Sequence, residues 1–229
     1  MHNNIKVIAF DADDTLWVNE TYFREAENEF AKLLSEYETE NKIHQELYKK
    51  EIENLKIYGY GVKGFMLSMV ECALEISNYK ISQKKIDQIL TIGKEMLEKP
   101  IVLLDNIEEV LQKLQGKYKL IVATKGDLLD QETKLEKSGI LEYFHHTEVM
   151  SDKKEADYLK LIKHLDIEAS ELLMVGNSLK SDVLPLIEIG ASAIHIPFHT
   201  TWAHEEVSEE QKSDSYKTVA KITDILKYL

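Results

Sequence analysis

Three carboxylates crowd one short stretch, VIAFDADDTLW at residues 7–17: Asp11, Asp13 and Asp14 follow directly on the apolar run Val7-Ile8-Ala9-Phe10. Two carboxylates about 4 Å apart repel by about 1 kcal/mol in water and by about 4 kcal/mol at an effective dielectric near 20. A folding core gains nothing from such a cluster on the end of a buried strand, so the cluster calls for a cation and a chemical use. Chemistry-bearing residues follow other apolar runs too. Thr124-Lys125-Gly126 comes after Leu120–Ala123, and Gly176-Asn177-Ser178 and then Ser181-Asp182 come after Leu172–Val175. Ser151-Asp152-Lys153-Lys154 follows a weaker run, Thr147–Met150. Taken singly, each has a plain structural reading. A strand-end Asp forms turns, Thr124 can cap a helix, a lysine pair is a solvated face, and Asp182 suits the first turn of a helix. Together they place carboxylate, hydroxyl, ammonium and a second carboxylate after strand ends in one chain.

For these residues to meet, the runs must be parallel strands, because open α/β sheets bind ligands beyond the carboxyl ends of their strands. Lys6–Phe10, Leu120–Ala123, Leu172–Val175 and Ala193–Ile196 are short, continuous apolar runs, as expected of strands buried on both faces. Helical patterns at Ile107–Leu114, Leu128–Lys137, Asp157–Leu165 and Leu184–Ile189 separate the later runs, with Gly139 and Gly190 as stop signals. The fold class is therefore α/β, a Rossmann-like parallel sheet with helices on both faces. Residues 18–99 break the rhythm. Helical patterns run from Asn19 to about Tyr37, and over His44–Leu55, Lys63–Ile76 and Ser82–Leu97, before Pro100. Residues 1–17 and 100–229 thus read as the core, and 18–99 as an inserted helical bundle, a cap over the sheet. The charged tail Glu205–Asp214 reads as surface loop before a last helix at Val219–Leu229.

At 229 residues the chain can bury a substantial core. Its net charge of −13 repels nucleic acid and anionic lipid, so neither is an expected partner. The same charge discourages anionic substrates unless a local cation or metal reverses the field. A single cysteine, Cys72, allows no internal disulfide, and the N-terminal segment has no long apolar stretch. A cytoplasmic location is expected, as a monomer or homodimer.

The assembled pattern resembles the haloacid dehalogenase superfamily of aspartyl-nucleophile hydrolases. Asp11-Ala12-Asp13-Asp14-Thr15-Leu16 is similar to its first motif and Val122-Ala123-Thr124 to its second. One of Lys153 and Lys154 matches the third, and Gly176-Asn177-Ser178 through Asp182 the fourth. A helical insertion between the first two motifs resembles the family's helical-cap class. The resemblance implies a Mg²⁺-dependent phosphatase acting on a small phosphorylated metabolite. Asp11 would attack phosphorus and become an aspartyl phosphate, and Asp13 would serve as general acid and then base. The metal would be held by Asp11, the Asp13 backbone carbonyl, Asp182 and Asn177, where the family often has Asp. Thr124 would bind a phosphoryl oxygen, with Thr15, Lys125 and Gly126 also on the phosphate side. The lysine of the third motif would neutralise charge. In the family this lysine precedes a helix with apolar residues about five and six positions on, a register that favours Lys153.

Lys63, in the insertion, is a candidate contact for an anionic substrate, although it and the pair Tyr58 and Tyr60 read first as cap structure. Trp17 reads as packing at the hinge, Glu205-Glu206 as solvated, and His195, His199 and His204 as loop residues rather than a zinc site. Three alternatives stand beside the phosphatase. A sugar phosphomutase of the same superfamily would keep every motif. A haloacid dehalogenase typically lacks the carboxylate two residues past the nucleophile. A phospho-accepting regulatory module would have no use for the inserted bundle.

Overall fold

The computed structural model describes residues 4–208 and 215–229. Strand β1 (Val7–Phe10) leads to helices α1 (Glu20–Leu33), α2 (Glu40–Tyr58), α3 (Val62–Ile76) and α4 (Gln83–Glu98). The chain continues through α5 (Ile107–Leu114), β2 (Lys119–Lys125), α6 (Leu128–Ser138), β3 (His146–Met150), α7 (Glu155–Leu165) and β4 (Leu172–Gly176). A π-helical turn (Leu179–Val183), α8 (Leu184–Glu188), β5 (Ser192–His195) and β6 (Lys217–Thr218) complete it. Two compact units result. One comprises Met1–Glu20, Ile101–Lys125 and Gln131–Leu229; the other comprises Thr21–Pro100 and Gly126–Asp130.

The first unit is a sheet in the order β3-β2-β1-β4-β5-β6, with every neighbouring pair parallel. This is the α/β, Rossmann-like core that the apolar runs predict. Successive residues of a strand face opposite sides, and two separate cores follow. Ile8, Phe10, Leu120, Val122, Leu173 and Val175 pack on one side with Ile107, Val110, Leu111 and Leu114 of α5. Val7, Ala9, Ile121, Ala123, Leu172 and Met174 pack on the other with Tyr158, Leu161 and Ile162 of α7 and Leu186 of α8. Both faces are covered, which is why these strands read as unbroken apolar runs.

The second unit is helical. Phe30 and Leu34, Ile43 and Leu47 of α2, Phe65 and Met69 of α3, and Ile89 and Ile92 of α4 close its core. Ser82 caps α4, its hydroxyl accepting from Lys85 N at 3.3 Å. No helix among the described residues is long and apolar enough to cross a membrane.

Three local expectations are corrected. First, α1 ends at Leu33 rather than near Tyr37, and the group that holds its start is the Asp14 carboxylate. The Asp14 carboxylate accepts from Asn19 N at 2.8 Å and from Glu20 N at 3.0 Å. Second, the expected helix over Val219–Leu229 is instead β6 followed by a 3₁₀ turn over Ile222–Lys227. Lys217 and Thr218 pair with Ile194 and His195. Ile222 and Ile225, three residues apart and so eclipsed on a 3₁₀ turn, are both buried. Third, Glu205 belongs to no solvated tail, since its side chain is 13 % exposed in an ion pair with Lys125. The rest of that predicted loop includes residues 209–214, which lie outside the described residues.

Candidate active site

Phe10 sits opposite Val122 on one neighbouring strand and Val175 on the other. Asp11 is therefore the first residue beyond the middle of the sheet, held there by its N–H donating to Val175 O at 2.9 Å. The chain then coils tightly. Leu16 N donates to Ala12 O at 2.8 Å, and Asp14 takes a left-handed φ of 63°. Asp is one of the few side-chain-bearing residues that tolerates this conformation. The coil turns Thr15 back so that its hydroxyl donates to Asp11 Oδ2 at 3.0 Å, with Asn177 Oδ1 at 3.3 Å on its other side.

Lys153 reaches the same place from the segment between β3 and α7. Its Nζ lies 2.5 Å from Asp11 Oδ1 and 2.7 Å from Asp182 Oδ1. Asp182 comes from the π-helical turn, and its second oxygen accepts from Ser178 N at 2.9 Å. Gly176 makes room for it. A Cβ at that position would lie 2.3 Å from Asp182 Oδ2, so no side chain fits there while Asp182 keeps its place. The alternative lysine, Lys154, points to solvent and pairs with Asp152.

This cluster is almost wholly withdrawn from water. Two carboxylates share one ammonium, so the cluster carries one negative charge in excess when both are ionised. Burial and the neighbouring Asp182 push the Asp11 carboxyl up to about 7 against the pull of Lys153. For Lys153 burial acts to lower the pKa, but Asp11 and Asp182 outweigh it and the ammonium is held firmly protonated.

Asp13 occupies a different setting. Its Oδ1 accepts from Trp17 Nε1 at 2.8 Å and from Lys134 Nζ at 3.0 Å, and its Oδ2 accepts from Gln131 Nε2 at 2.8 Å. Lys134 also donates to Asn19 Oδ1 at 2.9 Å. Trp17 is thus a buried core residue with a polar contact to the site loop. Gln131 and Lys134 were not among the sequence candidates. The signal for them was their spacing of three on α6, which puts both on one helix face directly after the Thr124-Lys125 strand end.

The other candidates fall as follows. Thr124 is buried at the end of β2, its hydroxyl donating to Lys125 O at 3.2 Å. Lys125 Nζ lies 2.6 Å from Glu205 Oε1 and 2.9 Å from Ser181 Oγ. Glu205 is the other partner that sequence reasoning missed. Gly126 (φ 135°) and Lys63 belong to the helical unit, where Lys63 pairs with Asp127 at 2.7 Å. Tyr58 donates to Glu71 Oε1 at 2.6 Å. Imidazole Nε2 of His195 lies 3.0 Å from Asn177 O. Among the described residues, no three His, Cys, Asp or Glu side chains gather as a metal site.

The parallel sheet thus gathers a buried aspartate, a lysine, hydroxyls and a second aspartate at its strand ends. Residues 5–190 match the model of the haloacid dehalogenase-like hydrolases, and the chain belongs to that family. A haloacid dehalogenase-like family hydrolase from Xanthomonas campestris is 38% identical, with a TM-score of 0.82 over 86% of this chain and 84% of that one. More distant folds include a predicted phosphoglycolate phosphatase from Haemophilus somnus 129pt, 19% identical, with a TM-score of 0.68 over 99% of this chain and 98% of that one. A 2-haloacid dehalogenase from Pseudomonas syringae pv. Tomato DC3000 is 16% identical, with a TM-score of 0.64 over 97% of each chain. A search of curated proteins found no match.

Proposed function

We propose that this hydrolase is a Mg²⁺-dependent phosphatase acting on a small phosphomonoester through an aspartyl phosphate on Asp11. The observation that carries the reading is a pair of carboxylates two residues apart in unlike surroundings. Asp11 is buried and fixed by Lys153 and Thr15. Asp13 is partly exposed and bound by Trp17, Gln131 and Lys134. Carboxylates set apart in this way suit different roles, one nucleophile and one proton carrier. The leaving group decides between the family's chemistries. An alkoxide needs a proton as the P–O bond breaks, whereas a halide leaves without one. Asp13 is therefore useful to a phosphatase and idle in a dehalogenase.

In the first step an Asp11 oxygen forms a bond to phosphorus, and the bond to the substrate oxygen breaks. Asp13 gives its proton to that oxygen, exchanging its present partners for the leaving group. In the second step Asp13 takes a proton from water, the water oxygen bonds to phosphorus, and the bond to Asp11 breaks to release phosphate. Thr124 donates to a phosphoryl oxygen, and Lys153 offsets the negative charge around Asp11.

The donors also suit a hard divalent cation. Two carboxylates, Asp11 and Asp182, are completed by the Asn177 amide oxygen and the Asp13 main-chain carbonyl, an all-oxygen set with a charge still to be balanced. These residues would hold Mg²⁺, which supplies the positive charge that an anionic phosphoryl group needs at an anionic site.

The test is a panel of phosphorylated metabolites incubated with the full chain and Mg²⁺, with released phosphate measured. Phosphate release supports the reading. Isomerised product from a hexose 1-phosphate would turn it into a phosphomutase. Chloride release from a 2-chloroacid, with no phosphate from any ester, would overturn it.

A further inference from the structure

After β5 the chain makes a 3₁₀ turn over Ala203–Glu205, closed by Glu205 N donating to Trp202 O at 2.8 Å. Lys180 Nζ pins this turn from the π-helical segment by donating to His204 O at 2.6 Å. The turn delivers one carboxylate to three donors. Glu205 Oε1 lies 2.6 Å from Lys125 Nζ, and Glu205 Oε2 accepts from Ser178 Oγ and Ser181 Oγ, each at 2.5 Å. Lys125 and Ser181 also touch one another at 2.9 Å. Burial alone would raise the carboxyl's pKa, but Lys125 and the serines outweigh it and hold the group ionised down to about 2.

Each donor adjoins a residue of the site. Lys125 follows Thr124, Ser178 follows Asn177 and gives its N–H to Asp182, and Ser181 precedes Asp182. One ammonium and two hydroxyls around two oxygens is the reception a carboxylate or phosphoryl oxyanion meets in a binding site. We infer that Lys125, Ser178 and Ser181 form an oxyanion subsite beside the reacting aspartates, and that Glu205 is its built-in occupant. Glu205 fills the space and cancels the Lys125 charge, so it is a specificity-determining residue that turns away substrates bearing an acidic group at this position. Only that statement about substrate choice rests on the phosphatase reading; the subsite itself does not.

The full chain and its Glu205→Ala variant are melted in sodium acetate, sodium phosphate and sodium chloride at equal ionic strength. Acetate should raise the melting temperature of Glu205→Ala above its value in chloride and leave the wild type, whose subsite is filled, unmoved; phosphate, the product of the proposed reaction, should stabilise both proteins but Glu205→Ala by more. A larger effect of acetate assigns the subsite to a carboxylate, and a larger effect of phosphate to a phosphoryl group. Equal responses from both proteins would overturn the subsite. Should Glu205→Ala fail to fold, Glu205→Gln replaces it. A Gln side chain still fills the space but no longer pairs the Lys125 ammonium, so the fallback is read by charge: the melting temperature of Glu205→Gln should rise more in acetate over chloride than that of wild type, and equal rises would overturn the inference. In turnover, kcat/KM for a carboxylated phosphomonoester relative to its uncharged analogue should rise about tenfold in the Glu205→Ala variant. An unchanged ratio would overturn the specificity role. If wild type hydrolyses no phosphomonoester, the phosphatase reading fails while the melting comparison still decides the subsite.

Discussion

Lys153 is the residue on which the buried cluster depends, since its ammonium is the shared partner of Asp11 and Asp182. Replacing it with Met removes the cation and leaves two carboxylates facing each other out of water. Breaking a buried pair in this way costs about 3–5 kcal/mol, so Lys153→Met should lose most of its denaturant stability at pH 7 along with its activity. Glu205 gives a pH signature. Its carboxyl is held near 2 in the fold against an ordinary value of 4.5, so it stabilises the protein above pH 4.5 and loses that contribution as pH falls toward 2. The stability gap between wild type and Glu205→Gln should therefore be open at pH 7 and close progressively below pH 4.5; a gap independent of pH would contradict the ion pair with Lys125. Asp11, Thr15, Lys153 and Asp182 were legible as one cluster because each stands just past a strand end, where a parallel sheet must bring them together. Gln131, Lys134 and Glu205 carry no such marker. Gln131 and Lys134 reach Asp13 across 118 and 121 residues, and Glu205 reaches Lys125 across 80. Only the folded path of α6 and of the chain after β5 makes those pairs.

At the scale of elements, β4 and the π-helical turn form one device, with Asp182 lying against the bare backbone of Gly176. Gly176→Ala puts a methyl group 2.3 Å from Asp182 Oδ2. The turn must shift, at a cost of about 1–3 kcal/mol, and Asp182 moves away from Lys153. Thermal melting and turnover should fall together; unchanged activity would mean that Asp182 is not needed where it stands. Strands β1, β2, β4 and β5 were readable from sequence to within about two residues because burial on both faces removes polar residues from them. The C-terminal segment was not. Its apolar residues fit a helix, but the pairing of Lys217 and Thr218 with β5 is a long-range gain that local spacing does not register. Asp14 was readable only as a turn former. Its use as the acceptor for the first N–H groups of α1 depends on a left-handed backbone that spacing does not reveal.

At the scale of the whole molecule, the chain comprises a sheet unit that holds the aspartate cluster and a helical unit with a core of its own. A cation that binds the folded sheet unit and not the unfolded chain must also stabilise it. At a hundred times its dissociation constant, Mg²⁺ should add about 2.7 kcal/mol, which for a chain of this size is a rise of several degrees in melting temperature. Calorimetry with Mg²⁺ against a chelator measures it, and a melting temperature indifferent to Mg²⁺ would contradict the proposed metal site. If Asp11 is the nucleophile, Asp11→Asn removes it with little other change, because the amide keeps the shape and can still accept from Lys153. Hydrolysis of an aryl phosphate with Mg²⁺ is measured for both proteins. Wild type should turn over, and Asp11→Asn should lose about a thousandfold or more; a variant that hydrolyses the ester as fast as wild type would mean that Asp11 is not the nucleophile.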